Sequence, residues 1–126
     1  MIAYLDTHVV AWLAQGDPVR ISPSARTPLE TADLLVSPMV LLELEYLREI
    51  NRVLFSSREL FLKVEYEFGV QVCDLPFAHV AEVALDEKWT RDPFDRTIVA
   101  QAKANGLALL VTADEEIRRN YPRAIW

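Results

Sequence analysis

The sequence predicts an α/β fold: one domain built on a mainly parallel sheet of four to five strands flanked by helices. Three observations carry this. Short apolar runs beginning at Ile2, Leu34, Val70 and Leu107 have the length of strands. Segments of helical period, about ten to sixteen residues long, alternate with them, the pattern of a parallel sheet with crossover helices. The 126 residues match the common size of one domain. No repeat, low-complexity tract or Gly/Ser linker divides them, so residues 1–126 read as a single domain.

The elements follow in order. Residues 2–5 form an apolar run ended by Asp6, a strand buried on both faces. Asp6 or Thr7 caps a helix that stops near Gly16-Asp17-Pro18. Ser22-Pro23 opens a second helix, Ser as cap and Pro as first helical residue, which Pro28 is expected to interrupt. Residues 34–37 form a second strand. Ser37 caps a helix from Pro38 to about Leu54. Ser56 and Glu59 form a capping box for the next helix, which ends by Gly69. Residues 70–75 read as a third strand, and Pro76 opens a helix to about Leu85. Asp92-Pro93-Phe94-Asp95 starts a helix stopped by Gly106. Residues 107–111 form a fourth strand, Thr112-Ala113-Asp114 leads into a short helix through Arg119, and residues 123–126 add a short edge strand.

Composition narrows the function classes. At 52% hydrophobic and 25% charged the chain is foldable rather than disordered. Its single cysteine, Cys73, excludes an internal disulfide framework and a cysteine zinc site, and two histidines, His8 and His79, argue against a histidine-rich one. Three glycines leave no glycine-rich phosphate loop. No apolar run reaches the roughly 20 residues that span a bilayer. The start MIAYLDTH lacks a basic leader segment, so no membrane association and a cytoplasmic location are expected. With 19 acidic and 13 basic residues the formal charge is −6, which argues against gripping nucleic acid by bulk positive charge. It leaves open an acidic metal site that reaches phosphate through a cation.

In open parallel sheets the site lies beyond the carboxyl ends of the strands, at the switch point of the strand order. Four acids stand out on that rule. Asp6 follows the first strand; a metal ligand and a helix cap both fit it. Glu43 falls inside the apolar stripe that Val40, Leu44, Leu47, Ile50 and Leu54 draw on their helix, whereas Glu45, Arg48 and Glu49 fall on the opposite, solvated side. A lone buried carboxylate costs several kcal/mol unless compensated, by a cation ligand or by an arginine. Asp95 lies within about 60° of Ile98, Val99 and Ala102, an inward position that capping does not demand, whereas Asp92 reads as the cap itself. Asp114 follows the fourth strand by three residues; it fits a helix cap or a fourth acid at the same sheet edge, with the Thr112 hydroxyl beside it. Four converging carboxylates without cysteine or histidine make a hard, oxygen-only site that suits Mg²⁺ or Mn²⁺, ions that polarise phosphodiesters and activate water.

Four stretches then match a family. Tyr4-Leu5-Asp6-Thr7-His8, SPMVLLE from Ser37 to Glu43, DPFDRTIVAQA from Asp92 to Ala102 and LLVTADEEI from Leu109 to Ile117 resemble PIN-domain ribonucleases, in particular VapC-type toxins of type II toxin–antitoxin pairs. The resemblance spans nearly the whole chain. It implies a PIN-like domain and a Mg²⁺-dependent endoribonuclease that hydrolyses RNA phosphodiesters, with Mn²⁺ as substitute. It also implies a cognate antitoxin that neutralises the enzyme, and a homodimer. Asp6, Glu43, Asp95 and Asp114 become the catalytic and metal-binding quartet, Asp95 preferred to Asp92 by the apolar and small residues that follow it.

Around the quartet, Thr7, Thr112, Asp92, Arg96 and Arg118 are candidates for ligand support or substrate contact, with Arg91 and Arg119 nearby. Arginine forks suit phosphate, and neutralising the acids is the other role open to Arg96. His8 reads as a surface histidine, Cys73 as a buried strand residue, and Trp12, Trp89 and Trp126 as core or interface anchors. The rivals are a PIN-like module that binds RNA or a partner without cutting, and a Mg²⁺-dependent phosphatase or receiver-like domain with Asp74 as phosphoacceptor.

Overall fold

The computed structural model describes all 126 residues. Five strands form one sheet: β1 (Ile2–Leu5), β2 (Asp33–Val36), β3 (Gln71–Val72), β4 (Leu109–Val111) and β5 (Ala124–Ile125). Their order is β3-β2-β1-β4-β5, and all four pairings are parallel. The chain therefore runs outward from β1 through β2 to β3, then returns to lay β4 on the other flank of β1. Between the carboxyl ends of β1 and β4 lies the switch point, a crevice that side chains from successive segments can share.

Seven α-helices flank the sheet: α1 (Thr7–Ala14), α2 (Pro23–Thr31), α3 (Pro38–Glu49), α4 (Ser57–Phe68), α5 (Phe77–Ala84), α6 (Pro93–Ala104) and α7 (Glu115–Asn120). A single turn of 3-10 helix at Pro18–Arg20 links α1 to α2. The expected caps formed. The side chains of Asp6, Ser22, Ser37, Ser56, Asp92 and Asp114 each accept a backbone N–H of the helix that follows. One main core of 25 buried apolar residues joins β1, β2 and β4 to α1, α3, α4 and α6, and Val80, Ala84 and Ala100 form a smaller one between α5 and α6. No helix is long and apolar enough to cross a membrane.

Several boundaries differ from the sequence expectation. The α3 helix ends at Glu49, not near Leu54. Asn51 turns into the left-handed region at φ 62°, and the N–H groups of Asn51 and Arg52 close on the carbonyls of Arg48 and Leu47, which satisfies the last turn without a glycine. Leu54 consequently leaves the apolar stripe and is exposed, as is much of Ile50. Pro28 does not interrupt α2, which carries it internally and still reaches Thr31. The third strand is cut to two residues: after Cys73 donates to the Val36 carbonyl the chain leaves the sheet toward Pro76. Pro76 itself stands at the cap position, outside α5. Leu107 and Ala108 lie outside β4, because Leu107 is itself left-handed at φ 54° and Ala108 still bonds back to the carbonyl of Ala102 in α6. In the Ser56 cap, Glu59 accepts the serine hydroxyl instead of reaching back to the Ser56 N–H.

Candidate active site

The carboxyl end of β1 delivers Asp6. Its N–H extends the ladder onto the Val111 carbonyl of β4 at 3.0 Å, which places its side chain at the switch point. That carboxylate is almost fully buried. One oxygen accepts the Thr7 N–H at 2.8 Å and caps α1; the other accepts the Thr112 hydroxyl at 2.6 Å. Capping and site placement are thus satisfied by one side chain. Thr112, buried just after β4, also accepts the Asp114 N–H at 3.1 Å, so a single hydroxyl ties Asp6 to the segment that carries Asp114.

Glu43 stands on α3 where the apolar stripe meets α1, half buried, and accepts the hydroxyl of buried Thr7. Asp95 is half buried in the first turn of α6. Asp92 caps that helix by accepting the N–H groups of Phe94 and Asp95. Asp114 caps α7 through the Ile117 N–H at 2.9 Å and is exposed, so burial does not penalise it as it does the other three.

Electrostatics joins these groups. Burial pushes the Glu43 carboxyl up to about 7; the Thr7 hydroxyl opposes this, and Asp6, Asp92 and Asp114 push it further. Asp95 is pushed up to about 8, first by burial, then by repulsion from Asp6, Asp92, Asp114 and Glu43. Asp6 is raised by burial against the opposing Thr112 and Thr7 hydrogen bonds. No cation pairs with any of them: the two side-chain ion pairs of the chain are Arg20–Asp17 and Lys103–Glu87. As the side chains stand, no three are gathered tightly enough to hold one ion. The donor set nonetheless suits a hard divalent cation. It consists of carboxylate and hydroxyl oxygens alone, partly desolvated and mutually repelling, and a cation is the species that would relieve that repulsion.

Other sequence candidates stand elsewhere. Arg96 neither neutralises the acids nor reaches the site. Its guanidinium donates to the Ala84 and Leu85 carbonyls at 2.8 and 3.0 Å and closes the end of α5. Arg118 is exposed on α7 without an acidic partner. Arg91 donates to the Lys88 carbonyl. Glu45 is not simply solvated: it accepts the Ser57 N–H at the start of α4. Asp74 follows β3, which β2 separates from β1, so the phosphoacceptor of a receiver-like site does not stand beside Asp6. Cys73 is buried and accepts the Tyr4 hydroxyl at 3.0 Å.

Sequence reasoning missed Glu87, a buried carboxylate in the α5–α6 connection that pairs with Lys103 and accepts the Trp89 indole N–H at 2.7 Å. It lies on no periodic segment, so no pattern marks it. Gln101, buried in α6, has an amide whose nitrogen and oxygen find no partner.

Comparison with known proteins adds a further line. The sequence model of the PIN domain family matches residues 3–121. Ribonuclease VapC22 of Mycobacterium tuberculosis (strain ATCC 25618 / H37Rv) is 34% identical over 124 residues, which cover 96% of this chain and 94% of that protein. Among solved structures, VapBC2 from Rickettsia felis bound to a promoter DNA fragment superimposes with a TM-score of 0.63 at 19% identity, covering 99% of this chain and 96% of that one. DNA-bound VapBC from Salmonella typhimurium gives 0.61 at 22% identity, covering 98% and 95%.

Proposed function

The chain belongs to the PIN domain family, and from that premise we propose that it is a VapC-like toxin: an endoribonuclease that hydrolyses RNA phosphodiesters with Mg²⁺, or Mn²⁺ in its place. The observation that carries the reading is that Asp6, Glu43 and Asp95 stand at the switch-point edge partly or almost wholly withdrawn from water, with no ion pair to any of them. Acids whose burial no ion pair offsets mark a candidate site for a ligand of opposite charge.

Asp6, Glu43, Asp95 and Asp114 would hold the ion. A divalent cation there supplies the positive charge a phosphodiester needs beside carboxylates and the Lewis acidity that makes water a nucleophile near neutral pH. The chain's own residues do the rest. Thr112 fixes the second oxygen of Asp6, and Thr7 fixes Glu43, so two of the four carboxylates are oriented before substrate arrives. Asp92 caps the helix that presents Asp95 and adds to the field on it. Burial and the neighbouring acids push Glu43 up to about 7 and Asp95 to about 8, and a bound cation would favour the charged form of both. Arg118 offers an unpaired fork for phosphate on the rim. The cytoplasm is the proposed location and a homodimer the proposed assembly. An antitoxin protein is the proposed inhibitor, in keeping with the VapBC complexes that share the fold.

The test is cleavage of a panel of structured RNAs by the purified chain. Cleavage is expected with Mg²⁺ and not in EDTA, and Asp6→Asn or Asp95→Asn should each abolish it while leaving the chain folded. Full activity in EDTA, or in either variant, would sink the proposal. A folded chain that binds RNA and never cuts it would instead favour the non-cleaving module.

A further inference from the structure

Three of the four acids have a hydrogen-bond donor on the side chain. Asp6 accepts the Thr7 N–H and the Thr112 hydroxyl, Glu43 accepts the Thr7 hydroxyl, and Asp114 accepts the Ile117 N–H. The Asp95 carboxylate accepts no hydrogen bond and joins no ion pair. Its aim is therefore set by the backbone of the turn that carries it. That turn, the first of α6, is shaped by local bonds. Asp92 accepts the N–H groups of Phe94 and Asp95 with its side chain and that of Arg96 with its carbonyl, and the Thr97 hydroxyl donates to the Pro93 carbonyl at 2.7 Å. None of these fixes the turn against the rest of the molecule. Arg96 does: its Nε and Nη2 donate to the Ala84 and Leu85 carbonyls at 2.8 and 3.0 Å, acceptors left open where α5 ends. The end of α5 is a firm base, because Val80 and Ala84 pack on Ala100 of α6 and the buried Glu87 just beyond pairs with Lys103. On its other side the turn has a ring contact, Phe94 against Tyr46 of α3 at 5.7 Å, and no hydrogen bond.

We propose that Arg96 is the positioning residue of Asp95: by gripping the end of α5 it sets where α6 begins, and so where the Asp95 carboxylate stands for a divalent cation. The inference rests on the metal-site reading above and names a residue that acts on the site without touching it. A ligand carboxylate has to stand within about 0.5 Å of its productive place, and groups that orient ligands change metal affinity by about 10- to 100-fold. A planar guanidinium holds two carbonyls at once, which the ammonium of lysine on its flexible stem does less firmly.

The experiment uses the full chain with Mn²⁺ alone as probe, the unbound ion being read by electron paramagnetic resonance. Arg96→Met should raise the Mn²⁺ dissociation constant about tenfold, and Arg96→Lys, which keeps the charge, about threefold. Cleavage should follow the ion and not the RNA: in Arg96→Met the Mg²⁺ concentration for half-maximal rate rises about tenfold while the KM for RNA stays within about twofold. Arg123→Met removes a similar arginine bond, to the Leu107 carbonyl past the other end of α6, and should leave Mn²⁺ affinity unchanged. In an Asp95→Ala chain, Arg96→Met should add no further loss, because the carboxylate it positions is gone. Equal losses with and without Asp95 would make Arg96 a general structural brace and overturn the proposal, as would unchanged Mn²⁺ affinity in Arg96→Met; either result leaves the metal-site reading standing. Should the methionine variant fail to fold, Arg96→Lys decides by the same readings. A parent chain that binds no Mn²⁺ overturns the metal-site reading and this proposal together.

Discussion

Saturating the chain with Mg²⁺ at pH 7 should release about 1.4 protons from Glu43 and Asp95 together, and raised Asp6 can only add to that number. Without an ion, Asp95 at about 8 is nine-tenths protonated at that pH, and Glu43 at about 7 is half protonated. A cation among the carboxylates favours their charged forms against the burial and the neighbouring acids that raised both groups, so both ionise. At pH 9 the same two groups hold only about 0.1 proton between them, and little is left to release. Titration calorimetry in two or three buffers of different ionisation enthalpy reads the number directly, as the slope of observed heat against buffer enthalpy. Asp95→Asn should lower the release at pH 7 by about 0.9, the share of Asp95. The sign of the linked stability follows. Both carboxyls are raised from ordinary values of 3.8 and 4.5, so between about pH 4 and 8 the folded state binds more protons than the unfolded one, and the ion-free protein loses stability as pH rises through that window. Mg²⁺ should therefore raise the melting temperature more at pH 8 than at pH 5.5. A heat of binding independent of buffer, or a proton number unchanged from pH 7 to pH 9, would mean that the ion does not bind at the raised carboxyls of Glu43 and Asp95.

Two further outcomes follow from single contacts. Thr112→Val removes the hydroxyl that Asp6 and the Asp114 N–H share; the Mg²⁺ concentration for half-maximal cleavage should rise about tenfold at a stability cost of about 1 kcal/mol, and an unchanged midpoint would mean that Asp6 needs no such brace. Lys103→Met leaves the buried Glu87 carboxylate without its cation and should cost about 3 kcal/mol in urea unfolding, most of which Glu87→Gln in the same chain should restore; a loss no larger in the single variant than in the double one contradicts the pairing.

Much of this protein was legible because the relevant signals are local. The run Ile2–Leu5 ending in an acid, the Ser-Pro and Asp-Pro helix starts and the inward angles of Glu43 and Asp95 depend on residues within one or two turns, and the structure keeps each of them. Local signals also misled where a tertiary contact could substitute for an expected stop or continuation. The α3 helix ends at a left-handed Asn51 instead of at a glycine or proline. Arg96, four residues from Asp92 in a motif full of acids, is recruited by the carbonyls closing α5. Glu87 finds its partner sixteen positions away, across a loop without period.

Residue types and their local order set the chemistry: which carboxylates follow strands or face inward from helices, and that no cysteine or histidine set competes with them. Tertiary packing chose their neighbours. Asp6 and Asp114 become neighbours because β4 returns to pair with β1 and not with β3, and α3 and α6 bring Glu43 and Asp95 to the same edge by packing on each other. Strand order and helix packing are set by the burial of a common core, a property of the whole chain that no window of residues contains. The same packing decides which acids feel the cost. Asp6, Glu43 and Asp95 are withdrawn from water, whereas Asp114 stays in solvent as a helix cap.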